Sequence, residues 1–346
     1  MRFFYRIIFN STLFPLFLQK IYFVDILKFQ EDFSLYLNNQ HLIKEPKNLY
    51  EPIDYILQLG GKRIRPILTL IASSIFSNDY KKALPAALAI EMFHSFTLIH
   101  DDIMDDAPIR RGKKTIHEKW NLNTGILSGD TMLILGYQYF ENYPSDVFQK
   151  LITLYSKTGI EVCDGQQLDV DFETRNDVTI PEYLQMISLK TSVLIGAALQ
   201  MGAIVSKANE EDSQKLYNFG LHLGTAFQLQ DDFLDTFGDP LTFGKQIGGD
   251  IIENKKTYLY LKSLEVANAK DKAILIDLFH KKLDDNSVKI ETVKQLFEKN
   301  NITHHIKNQI TNYTNTAFEI LSTMNISESA KKKLKEFGID LMNRNI

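Results

Sequence analysis

Four carboxylates fall within six residues at His100-Asp101-Asp102-Ile103-Met104-Asp105-Asp106, directly after the apolar run 83–99. On a helix Asp101 and Asp105 share one face, and Asp102 and Asp106 another, because residues four apart are neighbours. Like charges so placed repel, and an isolated run of this kind also fits a solvated acidic helix end. The apolar helix leading into it argues for an inward setting, where clustered carboxylates are tolerable only beside cations. A second cluster, Gln230-Asp231-Asp232-Phe233-Leu234-Asp235, repeats the arrangement about 130 residues later at the end of another largely apolar segment. If the two helices face each other across a bundle, Asp101, Asp105, Asp231 and Asp235 form a cavity of hard oxygen donors. Such donors suit Mg²⁺, which keeps part of its water and is commonly shared with substrate phosphates. The eight histidines are scattered, and no HExxH pattern competes for a metal.

Two basic segments accompany the acids: Gly60-Gly61-Lys62-Arg63-Ile64-Arg65-Pro66, and Arg110-Arg111-Gly112-Lys113-Lys114 just after the first cluster. Arginine forks and lysine ammoniums bind phosphate oxygens, and glycines let the backbone approach a bulky anion. Taken singly, each segment also fits a solvated face. Beside a Mg²⁺ cavity they complete a site for diphosphates, to which Lys190-Thr191, Lys245 and Lys255 are further basic candidates. The stretch Gly238 to Lys245 resembles a phosphate loop, but its glycine spacing is one residue too long, Gln246 follows the lysine and no strand precedes it. Nucleotide hydrolysis is set aside on those grounds.

The elements that must hold these groups are helical. From Asp25 onward apolar residues recur at intervals of three and four, and no alternating strand run of useful length occurs. The segments 83–99 and 192–205 are apolar on nearly every side, as expected of helices in the centre of a bundle. Breaks are expected at Gly60-Gly61, around Pro108, at Tyr143-Pro144, near Thr179 to Pro181 and across Gly238 to Gly249. After Val266 the chain carries surface-type amphipathic periodicity and no candidate chemistry. The 346 residues suffice for a sizeable core, and 44% apolar against 24% charged residues exclude a disordered or fibrous chain. Only 17 glycines and 9 prolines argue against a turn-dense all-β fold. A net charge of −4 gives no whole-protein field to attract nucleic acid, so anionic partners must be captured locally. A single cysteine, Cys163, excludes an intrachain disulfide and fits a reducing, cytoplasmic setting. Residues 1–24 form an N-terminal extension whose apolar stretch is interrupted by Asn10, Ser11 and Thr12 and ended by Lys20. It is too broken for a stable membrane span, and either a mis-assigned start or an interfacial anchor accounts for it.

In order along the chain, GGKRIRP, HSFTLIHDDIMDDAPIRRG, GQQLD, KT, FQLQDDFLD and GK resemble the motifs of the polyprenyl synthetases, the trans-isoprenyl diphosphate synthases. The resemblance covers residues 25–346, a single catalytic domain. It implies a large all-α bundle of the isoprenoid synthase type, homodimeric, with the two aspartate motifs facing each other across a central cavity. It implies Mg²⁺, three ions per site, held by Asp101 and Asp105 on one side and by Asp231 and Asp235 on the other, with Asp102 and Asp232 assisting. By the same resemblance Lys62, Arg65, His94 and Arg111 bind isopentenyl diphosphate. Arg110, Lys190, Thr191, Gln228, Lys245 and Lys255 hold an allylic diphosphate, and Asp169 supports Lys190 or serves the fold alone. The implied reaction is head-to-tail condensation. The leaving diphosphate ionises to an allylic cation, the alkene of isopentenyl diphosphate attacks it, and the departing diphosphate takes the proton.

Product length is expected to depend on what lies about a helical turn below Asp101. Phe96 would plug the channel partway and the small Thr97 leaves a little room. One aromatic there, with no insertion in the motif, resembles the geranylgeranyl pattern, so a fifteen- to twenty-carbon product leaning to twenty is expected. Ordinary core packing is the alternative for Phe96, with Met92 and Phe93 as further floor residues. A longer-chain synthase is the other enzymatic reading, and a non-catalytic subunit of a hetero-oligomeric synthase is a third. A terpene cyclase shares the fold and one aspartate motif, but its second metal motif differs.

Overall fold

The computed structural model describes residues 13–239, 247–281 and 285–343. Among them the only strands are the two-residue pair β1 (Ile109–Arg110) and β2 (Lys113–Lys114), antiparallel, which close a tight hairpin after the first acidic cluster. Everything else of regular structure is helical. The first half comprises α1 (Leu13–Asn38), α2 (Lys47–Gln58), α3 (Ile64–Phe76), α4 (Leu84–Met104), α5 (Ile116–Lys119), α6 (Leu122–Gln138) and α7 (Ser145–Thr174). The second comprises α8 (Ile180–Ile187), α9 (Val193–Val205), α10 (Glu210–Phe237), α11 (Gly249–Ile252), α12 (Tyr258–Val266), α13 (Ala269–Phe279), α14 (Ser287–Lys299), α15 (Ile302–Ser322) and α16 (Glu328–Asn343).

The punctuation expected from sequence falls between elements. Gly60 and Gly61 separate α2 from α3, Pro108 precedes β1, and Tyr143-Pro144 precedes α7. Thr179 caps α8 reciprocally with Glu182, the arrangement that fixes a helix start by satisfying two orphan amides. The backbone of α1 runs unbroken through position 24, so the division expected between residues 24 and 25 lies inside one helix.

Burial explains which helices are central. Along α4, Ala86 to Phe93 are almost wholly enclosed, and along α9 so are Val193 to Leu199. Two helical runs, Tyr80–Met104 and Ile180–Val205, are long and apolar enough to cross a membrane, and most of each is buried inside the protein. All-round apolar helices of this kind form bundle cores. The buried apolar side chains fall into two clusters, and α10 belongs to both: Leu216, Phe219 and Leu223 to the first, Ala226 and Leu229 to the second. The helix that ends in the second acidic cluster therefore ties the two cores together.

Candidate active site

The first wall is the C-terminal end of α4. Asp105 is its cap residue, with its amide bonded to the carbonyl of Asp101 at 2.9 Å. Asp106 turns left-handed at φ +50° and leaves the helix. The face that sequence gave to Asp102 and Asp106 together is thus broken by the helix end. Asp102 is 2% exposed and turned away from the Asp101 face, where Arg110 on the returning hairpin grips it. The Arg110 Nε donates to both carboxylate oxygens at 2.9 and 2.8 Å and Nη2 to one of them at 2.7 Å. This is a bidentate pair that fixes the hairpin on the helix. Burial raises the Asp101 carboxyl above the ordinary carboxylate range; Lys190 and Arg110 pull it back while Asp105 and Asp169 add to the rise.

The second wall, the end of α10, repeats the plan. Asp232, next to Asp231, is 4% exposed and faces backward. The Tyr183 hydroxyl and the Gln228 amide, at 3.1 Å, both donate to it. Burial pushes its carboxyl up to about 7 against the pull of those donors. In each Asp-Asp pair the second residue is therefore an anchor, because successive helical side chains diverge by about 100°. Asp235 Oδ2 accepts the amide of Asp250 at 3.0 Å, and its carbonyl accepts that of Gly248 at 2.6 Å, so it organises the start of α11. Asp250 went unnoticed in the sequence. It lies beside the second cluster, where burial and the charges of Asp232 and Asp235 push its carboxyl well up. A lone acid in a Gly-Gly-Asp turn was the available signal.

Cations lie near both walls. Lys190 donates to Asp169 Oδ2 at 2.6 Å. Lys190 and Thr191 lie in a π-helical turn, Ser188–Ser192, that joins α8 to α9 and that the sequence did not announce. Helix α7 comes so close to this turn that a Cβ at Gly165 would stand 2.3 Å from the Lys190 amide nitrogen. Thr191 donates to Gln228 at 3.2 Å, which links the turn to α10. The Lys255 ammonium pairs with Glu253 at 2.9 Å. Opposing burial, the charges of Glu253, of Asp250 on the second wall and of Asp105 on the first hold it above its ordinary range, so one ammonium senses both walls. Lys245 lies outside the described residues.

A cationic recess adjoins the first wall. Arg65 Nη1 lies 3.2 Å from His94 Nε2, and the buried Arg65 Nε has no hydrogen-bond partner. Burial, with Arg111 adding to it and Glu91 opposing, brings Arg65 down to about 10. Burial and then Arg65, Arg111, Arg110 and Arg63 hold His94 well below the usual imidazole range. Arg111 bonds the Gly60 carbonyl, and its guanidinium lies 2.7 Å from where a Cβ on Gly61 would stand; Gly61 also has φ +118°. Only glycine fits both demands. Arg63, left-handed at φ +49°, pairs with the buried Glu91 of α4 and donates to the Leu57 carbonyl. Lys62 is exposed beside it. A lone acid inside an apolar helix was the signal for Glu91, and it went unused.

Below the first wall Phe96 is 8% exposed and meets Phe93 and His100 edge-on at 5.0 and 5.7 Å. Phe93 in turn meets Tyr155 of α7 at 5.2 Å. Thr97 donates to the His94 carbonyl at 2.8 Å.

Among the described residues no three carboxylate, imidazole or thiolate side chains converge on one point. The aspartates stand as separate groups on two walls rather than as the four-carboxylate cavity expected from sequence. The donor set nevertheless fits Mg²⁺. The raised Asp101 carboxyl, with the charges of Asp105 and Asp169 beside it, gains from a divalent cation, and Mg²⁺ in phosphate sites takes only one or two carboxylates and completes its shell from water and substrate.

Two acidic helix ends with lysines near them, and a group of crowded arginines beside one of them, give this all-α protein the chemistry needed to bind multiply charged anions. The chain belongs to the polyprenyl synthetase family, whose model matches residues 46–298. It is 41% identical over 242 residues to the geranylgeranyl diphosphate synthase of Methanosarcina mazei, across 69% of this chain and 72% of the relative. It is 40% identical over 243 residues to the geranylfarnesyl diphosphate synthase of Natronomonas pharaonis, across 65% and 71%. A crystal structure of a geranylgeranyl pyrophosphate synthase superimposes with a TM-score of 0.89 at 49% identity, covering 92% of this chain and 98% of that one.

Proposed function

We propose that this protein is a Mg²⁺-dependent prenyltransferase that joins isopentenyl diphosphate head to tail with an allylic diphosphate and releases an all-trans product of twenty carbons. The observation that carries the reading is the double charge pattern: two acidic helix ends with Lys190, paired to Asp169, and Lys255, paired to Glu253, near them, and a separate cationic group at Arg65, His94 and Arg111. Bound Mg²⁺, three ions in the family pattern, would be held by Asp101, Asp105, Asp231 and Asp235 and supply positive charge against the leaving diphosphate. Lys190, Thr191, Gln228 and Lys255 orient the allylic diphosphate between the walls, with Asp169 aiming Lys190. Lys245, for which the same role was expected, stays part of this proposal by resemblance only.

Arg110 spends its Nε and Nη2 on Asp102, so it acts on the allylic diphosphate through charge and by setting the hairpin. Lys62, Arg65, His94 and Arg111 receive isopentenyl diphosphate. His94 is neutral in this company and serves as a hydrogen-bonding group, not a counter-ion. The allylic carbon–oxygen bond breaks, the isopentenyl double bond attacks the resulting cation, and the departing diphosphate accepts the proton lost in forming the new double bond. Phe96 presents an apolar face below the first wall, backed by the buried Phe93, and such a surface excludes water.

Purified protein incubated with Mg²⁺, isopentenyl diphosphate and dimethylallyl, geranyl or farnesyl diphosphate in separate tubes tests the reaction. Linear prenyl diphosphates that vanish with a chelator are expected, and absence of product with every primer contradicts the proposal. Geranylgeranyl and geranylfarnesyl relatives match this chain almost equally, so length is assigned on Phe96 and not on similarity. Phe96→Ala is expected to shift the product by one or more five-carbon units, read by chromatography; an unchanged distribution places the floor elsewhere.

A homodimer is part of the proposal. Helix α6 buries its small residues Gly125, Ser128, Gly129 and Gly136 against the protein and leaves Leu127 and Ile134 57% and 59% exposed. Ile160 of α7 is 65% exposed. Apolar side chains this exposed on two bundle helices fit a second copy of the chain. Ile134→Asp is expected to halve the mass seen by light scattering, and a wild-type protein that is itself monomeric refutes the assignment.

A further inference from the structure

Lys289 of α14 is 0% exposed, yet among the described residues no carboxylate meets its ammonium. Its partners are neutral: Asn254 Oδ1 at 2.6 Å and the Lys281 carbonyl at 3.2 Å, with the Phe279 ring 5.7 Å away. Burying a lysine among neutral acceptors is costly, so the question is what the charge-assisted bond to Asn254 secures.

Asn254 is left-handed, at φ +61°. It follows α11, and two backbone bonds close the turn: Asn254 N–H to the Ile251 carbonyl at 3.3 Å and Lys255 N–H to the Asp250 carbonyl at 2.9 Å. This is the Schellman pattern of a helix C-terminus, whose left-handed position favours glycine and accepts asparagine less readily. The residue after that position is Lys255, and the turn determines where its side chain goes. On the far side Lys256 donates to the Phe172 and Glu173 carbonyls at the end of α7, at 2.6 and 3.0 Å. From behind, Ile290 supports the same segment at Gly248, 3.0 Å from where a Cβ would stand. The turn carrying Lys255 is thus held from α14 and from α7, and among the described residues the side chain bonded to its left-handed residue is that of Lys289.

We infer that Lys289 is a positioning residue for the reaction: it locks Asn254 in the left-handed conformation that aims Lys255 between the two acidic walls, and through it sets affinity for the allylic diphosphate. This rests on the prenyltransferase reading above. Helix α14 lies beyond Val266, where the sequence offered no chemistry.

The test is steady-state kinetics on the full-length protein with each substrate varied in turn. Lys289→Met, which keeps the buried stem, is expected to raise KM for the allylic diphosphate about tenfold and leave KM for isopentenyl diphosphate unchanged. Asn254→Ala, at a part-exposed position, should give the same split should Lys289→Met fold poorly. The decisive variant is Lys289→Met with Asn254→Gly, because glycine takes the left-handed conformation unaided. Recovery of most of the lost affinity supports the inference. No recovery, an equal shift in both KM values, or a further tenfold loss from Lys289→Met in a Lys255→Met background overturns it. A wild-type protein that makes no product in the same assay refutes the prenyltransferase reading instead, before any variant is compared.

Discussion

Alanine at Asp101 or at Asp231 is expected to lower kcat by about a thousandfold or more, the scale seen when groups that stabilise transition-state charge are removed. The fold should survive. The Asp101 carboxyl is raised by burial, so the folded protein holds it less favourably as an anion than water would. A carboxyl raised on folding makes stability fall as pH rises from its unfolded value through its folded one. Removing it therefore leaves the melting temperature at neutral pH unchanged or slightly higher. Asp102→Ala should behave differently and lower melting temperature and activity together, because it frees Arg110 and the hairpin. Calorimetry alongside turnover separates the two cases. Near-normal turnover for Asp101→Ala would remove the first acidic wall from the mechanism.

The second large effect is expected at Arg65. Its guanidinium is buried and its Nε unpartnered, and the nearby Arg111 charge makes its ionisation less favourable. Such an arrangement costs stability in the free protein and is relieved when a diphosphate enters. A charged hydrogen bond of this kind is worth about 1.5–3 kcal/mol, so Arg65→Met should weaken isopentenyl diphosphate binding by roughly 10- to 150-fold. KM for the allylic diphosphate should be almost unaffected. Equal losses in both, or an isopentenyl diphosphate KM within twofold of wild type, would detach the arginine recess from that substrate.

Much of this was legible in the amino-acid order because it depends on local spacing. Apolar runs without a polar face had to be central helices, and 83–99 and 192–205 are the buried α4 and α9. Glycine and proline breaks fell between elements for reasons of backbone geometry alone. Within the acidic motifs composition was legible but direction was not. Asp102 and Asp232 differ from their neighbours only in facing Arg110 and Tyr183, and Tyr183 lies 49 residues away from Asp232. The left-handed turn at Asp106 removed a pairing that an uninterrupted helix would have made. The π turn at Lys190 depends on how closely α7 can approach at Gly165, a tertiary property. Glu91 is a single acid in an apolar run, whereas Asp250 and Lys289 stand among other charged residues, and nothing in their local spacing sets them apart from solvated neighbours.

The central claim is that a metal–diphosphate unit sits between the walls formed by α4 and α10 while the second diphosphate occupies the arginine recess. A crystal structure with Mn²⁺ in place of Mg²⁺, isopentenyl diphosphate and an unreactive allylic thiodiphosphate tests it most directly. Anomalous peaks are expected against Asp101, Asp105, Asp231 and Asp235, with one diphosphate on Lys190 and Lys255 and the other on Arg65, His94 and Arg111. Metal peaks away from both walls, or both diphosphates on the same set of cations, would contradict it.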